Sequence, residues 1–371
     1  MIIDLRGTNG SGKTTIVQNF LQGSTFLGNS HLVDDLFIVG PYIRDDEYLS
    51  TGGCDCLSSD DVEGLVRKNY EKYHILLEGA DISTTYRRWI SLANEVGFYE
   101  YVFIFLSTPL DQCIKNRDKR KEKFNRIQDG ENHNIKLKYD QCLGLIQRFR
   151  KEERQVYVIK NTQGVDFIKQ ALSNDFRSHV LHLSGGGKRS GSRDVGLYCS
   201  INKPEFEGLY FIRDSAKRLD QFNFDFSGKS VIEYGSNVGA LSFEILSRGT
   251  TLLHGYEYNP FRVLFCNQYC HLNNLNGKFF QFDFNVDILS KKADVIVCCS
   301  VDDYIDDLES FYNSLYDNCN ETLLLESNIR GKSDDFILNI LQRVGFTDIK
   351  FLGNGDCGRV PKKRKIYKCE K

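Results

Sequence analysis

The segment Gly7-Thr8-Asn9-Gly10-Ser11-Gly12-Lys13-Thr14 constrains this 371-residue chain more than any other. It satisfies the spacing G-x-x-x-x-G-K-[ST] and follows Ile2-Ile3-Asp4-Leu5, an apolar run that reads as a buried strand. A helix is expected directly after it, over Thr15 to Leu21. The spacing has a physical cause. Glycines let backbone N–H groups converge on a phosphate, and the helix start adds the positive end of its dipole. Lys13 would neutralise β- and γ-phosphate oxygens and the Thr14 hydroxyl would hold Mg²⁺, with Gly7, Asn9, Gly10, Ser11, Gly12 and Thr15 completing the cradle. A chance glycine turn would rarely arrive with both strand and helix in place.

Further apolar runs follow at Leu36–Val39, His74–Leu77, Tyr101–Leu106 and Val156–Ile159, then at Ser230–Tyr234, Leu252–Tyr256, Asp294–Val297 and Thr322–Leu325. Continuous runs separated by stretches of helical length are what buried parallel strands require. Between the two series lies Ser184-Gly-Gly-Gly-Lys-Arg-Ser-Gly-Ser-Arg193, which has little to pack and reads as a flexible linker. The expectation is therefore α/β architecture in two three-layer domains, residues 1–178 and 197–371, joined by a linker over 179–196.

Composition limits the setting. With 41% hydrophobic and 26% charged residues and no apolar run near ~18 residues, no membrane span is expected. Twelve cysteines without a Cys-x-x-Cys pair, and no leader pattern at residue 1, point to reduced thiols in a cytoplasm. A net charge of -2 gives no global pull toward nucleic acid, so any such contact must be local.

Candidate catalytic residues in the first half follow from position. Glu78 ends an apolar strand where a metal-bound water or acceptor is held, or else it caps the next helix. Arg117 and Arg120, in a stretch dense with lysine and arginine, are placed to close over a transferring phosphoryl group. Asp34 and Asp35 are candidate bases. Together Arg6–Thr15, Thr51-Gly52-Gly53-Cys54-Asp55, Leu77-Glu78-Gly79 and Phe105–Ile114 resemble thymidylate-kinase-like P-loop kinases of bacteriophages, over about residues 1–160. The resemblance implies transfer of phosphate from ATP, with Mg²⁺, to a nucleotide-type acceptor, and it includes kinases of 5-hydroxymethyluracil in DNA. The Asp-Arg-Tyr/Phe element of thymidylate kinases is absent, which argues against free dTMP as acceptor.

In the second half, Val231-Ile232-Glu233-Tyr234-Gly235-Ser236-Asn237-Val238-Gly239 is a strand running into a glycine turn. The next strand ends at Glu257, about 20 residues on, where a carboxylate can accept from ribose hydroxyls. Asp283 then stands between Phe282 and Phe284, suited to an adenine amino group and ring. This series, with Leu324–Asn328 and the ending Lys365–Cys369, resembles class I S-adenosylmethionine-dependent methyltransferases over about residues 197–371. The resemblance implies that Gly235, Ser236, Asn237 and Gly239 bracket the methyl donor, that Glu257 and Asp283 hold its nucleoside, and that Glu233 lies beneath it near its amino group. A nicotinamide-binding domain is the competing reading. The combined expectation is a bifunctional transferase acting on a nucleotide or nucleic acid. The alternative is a methyltransferase carrying an ATP-driven switch. Oligomeric state is not legible.

Overall fold

The computed structural model describes residues 1–42, 52–124, 132–183, 197–329, 334–355 and 364–371. The chain divides into two compact units, Met1–Ser173 and Asn174–Lys371. The glycine-rich linker segment and Thr51 lie outside the described residues.

The strands of the first unit are β1 (Ile2–Arg6), β2 (Thr25–Phe26), β3 (Ser30–Val33), β4 (Leu36–Val39), β5 (His74–Glu78), β6 (Tyr101–Leu106) and β7 (Gln155–Ile159). They form one sheet in the order β2-β3-β4-β5-β1-β6-β7. From β4 to β7 every pairing is parallel, while β2, β3 and β4 pair antiparallel at one edge. Both faces of the central strands are buried, which is why β6 reads as an unbroken apolar run and β1 as an apolar run interrupted by Asp4 and Arg6. The helices are α1 (Lys13–Gln18), α2 (Ser59–Asn69), α3 (Ala80–Thr84), α4 (Arg87–Val96), α5 (Leu110–Phe124), α6 (Asn132–Lys151) and α7 (Gly164–Leu172). Trp89, Phe103 and Phe149 sit at the centre of the core. The interior also holds Arg6, whose Nε and Nη2 donate to Asp4 at 2.9 and 2.7 Å and whose Nη1 donates to the Thr85 carbonyl. That network anchors the residue just ahead of the glycine loop.

The second unit opens with α8 (Phe176–Leu183). The sequence reading divided these residues between first domain and linker. Here Phe176 packs its ring edge-on against Phe265 and Tyr269, so the helix belongs to the second core. A small pair, β8 (Leu197–Cys199) and β9 (Phe211–Arg213), and helix α9 (Ser215–Asp220) precede the main sheet. That sheet contains β10 (Ser230–Tyr234), β11 (Leu252–Glu257), β12 (Gly277–Gln281), β13 (Ala293–Cys299), β14 (Cys319–Ser327), β15 (Asp348–Gly355) and β16 (Arg364–Glu370). Its helices are α10 (Ala240–Ser247), α11 (Pro260–Leu272), α12 (Leu308–Asn318) and α13 (Asp334–Val344).

Its order is β12-β11-β10-β13-β14-β16-β15, and β16 runs antiparallel to both neighbours. Nicotinamide-binding sheets of the doubly wound type run parallel in the order 3-2-1-4-5-6. The antiparallel insertion departs from them and supplies the terminal hairpin that the methyltransferase resemblance implies. In each sheet the first strand of the parallel core is central, and the direction of winding reverses beside it. The crevice for a ligand therefore opens at the carboxyl ends of β1 and of β10.

Candidate functional sites

The loop from Gly7 to Gly12 connects β1 to α1, and the helix begins at Lys13, two residues earlier than expected. Gly12 precedes it with φ 102° and no side chain caps the helix, so its first N–H groups stay open. Gly10 has φ +84°, and a Cβ there would come within 2.2 Å of the Cys113 carbonyl. No side chain fits that approach. The loop is held from outside. Thr108 Oγ1 donates to the Ser11 carbonyl at 2.8 Å, and Asn116 Nδ2 donates to the Gly10 carbonyl at 2.8 Å.

Lys13 is buried and folds across the loop, donating to the carbonyls of Gly7 and Thr8 at 2.7 and 3.3 Å. Thr14 Oγ1 donates to Glu78 Oε1 at 3.0 Å, and Tyr42 donates to the same oxygen at 3.1 Å. Burial raises the Glu78 carboxyl above the usual range, against the lowering influence of Lys13 and the two hydroxyls. Glu78 does not cap α3. Asp55 does, accepting from the Ala80 N–H at 2.7 Å. A hydroxyl and a carboxylate in contact beside the lysine form the kind of oxygen pair that a hard divalent cation takes.

Asn9, Gly10, Ser11, Gly12, Lys13, Thr14, Thr15, Asp55, Glu78, Lys119 and Arg120 line one cavity of about 790 Å³. Gly7 contributes its carbonyl to Lys13 and is not part of the lining. Two expectations do not fit. Arg117 is buried and does not line the cavity, so Lys119 and Arg120 are the cations of α5 that face the loop. Asp34 and Asp35 form the exposed turn between β3 and β4. Asp35 stands 3.6 Å from His74, at the start of β5, whereas Glu78 ends that strand. Roughly 13 Å of strand separates them from the loop, so a catalytic base role does not fit either residue.

The second site repeats the backbone plan with other side chains. Gly235 has φ +74°, and a Cβ there would meet Val301 Cγ2 at 2.5 Å. A cavity of about 770 Å³ is lined by Glu233, Gly235, Ser236, Asn237, Glu257 and Asp283 among others. Gly239 precedes α10 and does not line it. Glu257 accepts from the Asn237 N–H at 3.0 Å and the Asn259 N–H at 2.9 Å, with Arg262 at 3.4 Å. This ties the glycine turn to the end of β11. Asp283 is half-buried, accepts from the Asn285 N–H, and stands between Phe282 and Phe284 in the lining. Glu233 is fully buried and takes a short hydrogen bond from Ser242, and burial pushes its carboxyl up to about 7. Asp302 accepts from Tyr312, Ser327 and the Asn328 N–H and does not line the cavity. Burial pushes the Cys298 and Cys299 thiols up, as expected of packed rather than reactive sulfur.

Sequence reasoning did not bring one cluster together. Arg213, Arg218 and Arg364 converge on the fully buried Glu326 at the end of β14, and Arg218 and Arg364 reach the cavity wall.

No protein-family model matches the chain. It is similar to a 5-hmdU DNA kinase of Pseudomonas phage PaMx11, 30% identical over 155 residues, covering 38% of this chain and 81% of that one. A 5-hmdU DNA kinase of Pseudomonas phage M6 is 27% identical over 134 residues, covering 32% and 71%. Among solved structures, the bifunctional kinase-methyltransferase WbdD superposes with a TM-score of 0.40 at 19% identity, covering 48% of this chain and 44% of that one. Magnesium protoporphyrin IX methyltransferase from Synechocystis PCC 6803 with bound SAM gives 0.37 at 19% identity, covering 42% and 77%.

Proposed function

Because the chain belongs, through its amino-terminal region, to the family of the phage 5-hmdU DNA kinases, we propose that its first unit transfers the γ-phosphate of ATP to a hydroxyl on a modified base in DNA. We further propose that its second unit is an S-adenosylmethionine-dependent methyltransferase acting on an oxygen or nitrogen of a related substrate. The observation that carries the first half is the glycine loop with Lys13 folded over it and the Thr14–Glu78 pair beside it. Gly10, Gly12 and the uncapped start of α1 would take the phosphates, and Arg120, which lines the same cavity, would add a cation. Thr14 and Glu78 would hold Mg²⁺, which when bound neutralises charge on the phosphate oxygens. This moves Glu78 from acceptor positioning to the metal side of the site.

For the second half, support comes from the placement of Glu257 and Asp283 at successive strand ends beside the glycine turn, all on one cavity wide enough for a nucleoside-sized ligand. Glu257 would accept from ribose hydroxyls, Asp283 from an adenine amino group, and Glu233 would face the donor's ammonium. The donor supplies an activated methyl group, and the chain's part is to position the acceptor and exclude water.

The direct test supplies the purified protein with γ-labelled ATP, Mg²⁺ and single- or double-stranded DNA containing 5-hydroxymethyluracil, with Lys13→Ala as blank. Label on the DNA, absent in the blank, supports the kinase. Lys13-dependent release of free phosphate without labelled DNA would replace it with an ATP-driven switch. Binding of S-adenosylhomocysteine, lost in Gly235→Asp, tests the second unit independently.

A further inference from the structure

The cavity of the second unit has a wall that the nucleoside-binding residues leave unused. Tyr198, Arg218, Ser300 and Arg364 line it, at the β13–β14 side of the sheet. Behind them the Glu326 carboxylate receives Arg213 at 2.9 and 2.8 Å, Arg218 at 2.8 and 2.9 Å, Arg364 at 3.1 Å and the Ser300 hydroxyl at 2.7 Å. Arg213 and Arg218 are almost wholly buried. Three guanidinium groups bring three positive charges and one carboxylate offsets one of them.

The rest of the cavity does not supply the missing negative charge. Its lining carboxylates are Glu233, Glu257 and Asp283. Glu257 already faces Arg262, and Asp283 follows β12, on the opposite side of β10 from β14. Glu233 feels the Arg218 charge, but burial outweighs it and holds the carboxyl up to about 7, so it offsets Arg218 only in part near neutral pH. A methyl donor of the sulfonium type makes the excess larger, since its sulfonium and ammonium outweigh its one carboxylate. The three guanidinium groups share one carboxylate, so the wall keeps positive charge that a second ligand with negative charge would meet.

We propose that Arg218, Arg364, Ser300 and Tyr198 form a subsite for a phosphomonoester carried by the methyl acceptor, so that the second unit takes a phosphorylated molecule of the kind the first unit makes. The inference rests on the methyl-donor reading of this cavity. A phosphomonoester carries about -1.5 to -2 charges at neutral pH, which matches an excess of two, whereas a carboxylate or a phosphodiester leaves half of it uncompensated. Guanidinium forks suit its oxygens. Arg364 uses only Nη1 on Glu326 and Ser300, and its Nε and Nη2 take no partner among the described residues.

The test titrates the full chain, saturated with S-adenosylhomocysteine, with two oligonucleotides that differ only in carrying 5-phosphomethyluracil or 5-hydroxymethyluracil. The phosphorylated one is expected to bind at least about 10-fold tighter. Arg364→Ala should erase that difference and Arg364→Lys restore part of it, with affinity for S-adenosylhomocysteine unchanged in both. The difference should persist in Lys13→Ala, which separates it from product binding in the first unit. Equal affinity for the two oligonucleotides overturns the proposal. So does a loss confined to S-adenosylhomocysteine in Arg364→Ala, which assigns the arginine to the donor's carboxylate. If wild type does not bind S-adenosylhomocysteine at all, the methyl-donor reading fails first and takes this proposal with it.

Discussion

The two glycine turns of this chain share a backbone and differ in charge. Each follows the first strand of a parallel core, and each feeds a helix whose leading residue is a positive-φ glycine with no side-chain cap, Gly12 before α1 and Gly239 before α10. Each opens onto a cavity of nearly the same volume, about 790 and 770 Å³. The first position of α1 is Lys13, whereas α10 begins with Ala240. The second turn is instead flanked by carboxylates at two neighbouring strand ends, Glu233 and Glu257. An open helix start favours any anion. A lysine at the turn selects phosphate, and carboxylates around it select hydroxyls and cations. Backbone grammar chooses where a ligand sits, and a few side chains choose what it is.

Exchanging that charge should break the comparison most at Lys13. Removing the ammonium that spans the loop is expected to lower phosphoryl transfer by on the order of 10³-fold. Affinity for S-adenosylhomocysteine should stay within about 2-fold of wild type. The rate of label transfer from γ-labelled ATP to the DNA and calorimetry on the same preparation read both. A parallel fall in the two would mean that the variant had lost its fold rather than one site.

Glu233 gives the next largest effect. Its carboxyl is raised from 4.5 to about 7, first by burial, with Ser242 and Arg218 acting against the rise. Between those values the folded protein holds a proton that the unfolded chain releases, so stability falls as pH rises through the window. The loss approaches about 3 kcal/mol by pH 8. Glu233→Gln keeps the shape without the charge. Urea unfolding should find variant and wild type alike near pH 4.5, with the variant more stable by about that amount at pH 8. Equal pH profiles would remove Glu233 as a buried titrating group.

Glu257→Gln should act more weakly, because the amide oxygen can still accept from the Asn237 or Asn259 N–H that now bind the carboxylate. A loss of about 10-fold in S-adenosylhomocysteine affinity is expected, with ATP-dependent turnover unaffected. No loss would place the ribose elsewhere in the cavity.

What the sequence displays, and what it hides, follows from how each feature is encoded. The parallel strands β1, β4 to β7, β10, β11, β13 and β14 are buried on both faces, so each appears as a local apolar run. The antiparallel strands β2 and β3 and the pair β8 and β9 have two to four residues and no periodicity to show. Helix α8 could not be assigned to a unit from its own residues, since its partners Phe265 and Tyr269 lie about ninety positions later. The glycine turns were legible because the chemistry of each is contiguous. The Glu326 cluster was not, because its arginines come from β9, α9 and β16 and meet only after the terminal hairpin closes.

Asp34 and Asp35 supply the smallest effect and the sharpest contrast with Glu78. All three are carboxylates at strand ends in the first sheet, and strand direction separates them. In a parallel sheet the carboxyl ends of all strands face one rim, and the ligand sits there. Glu78 closes β5 on that rim, whereas the turn carrying Asp34 and Asp35 precedes β4 on the opposite one. The Asp35 side chain is 72% exposed, and its neighbour His74 is only 3.6 Å away, so its charge is largely met by solvent and one imidazole. The double substitution Asp34→Asn, Asp35→Asn is therefore expected to leave phosphoryl transfer within about 2-fold of wild type, since exposed charges a strand length from the chemistry are screened. Glu78→Gln should remove most of the Mg²⁺-dependent rate. Titrating the rate against Mg²⁺ for the two variants reads the distinction directly. Loss of turnover in the aspartate variant, at saturating Mg²⁺ and with unchanged unfolding, would mean that the acceptor is held at the rim opposite the glycine loop, and the assignment of the first cavity would have to change.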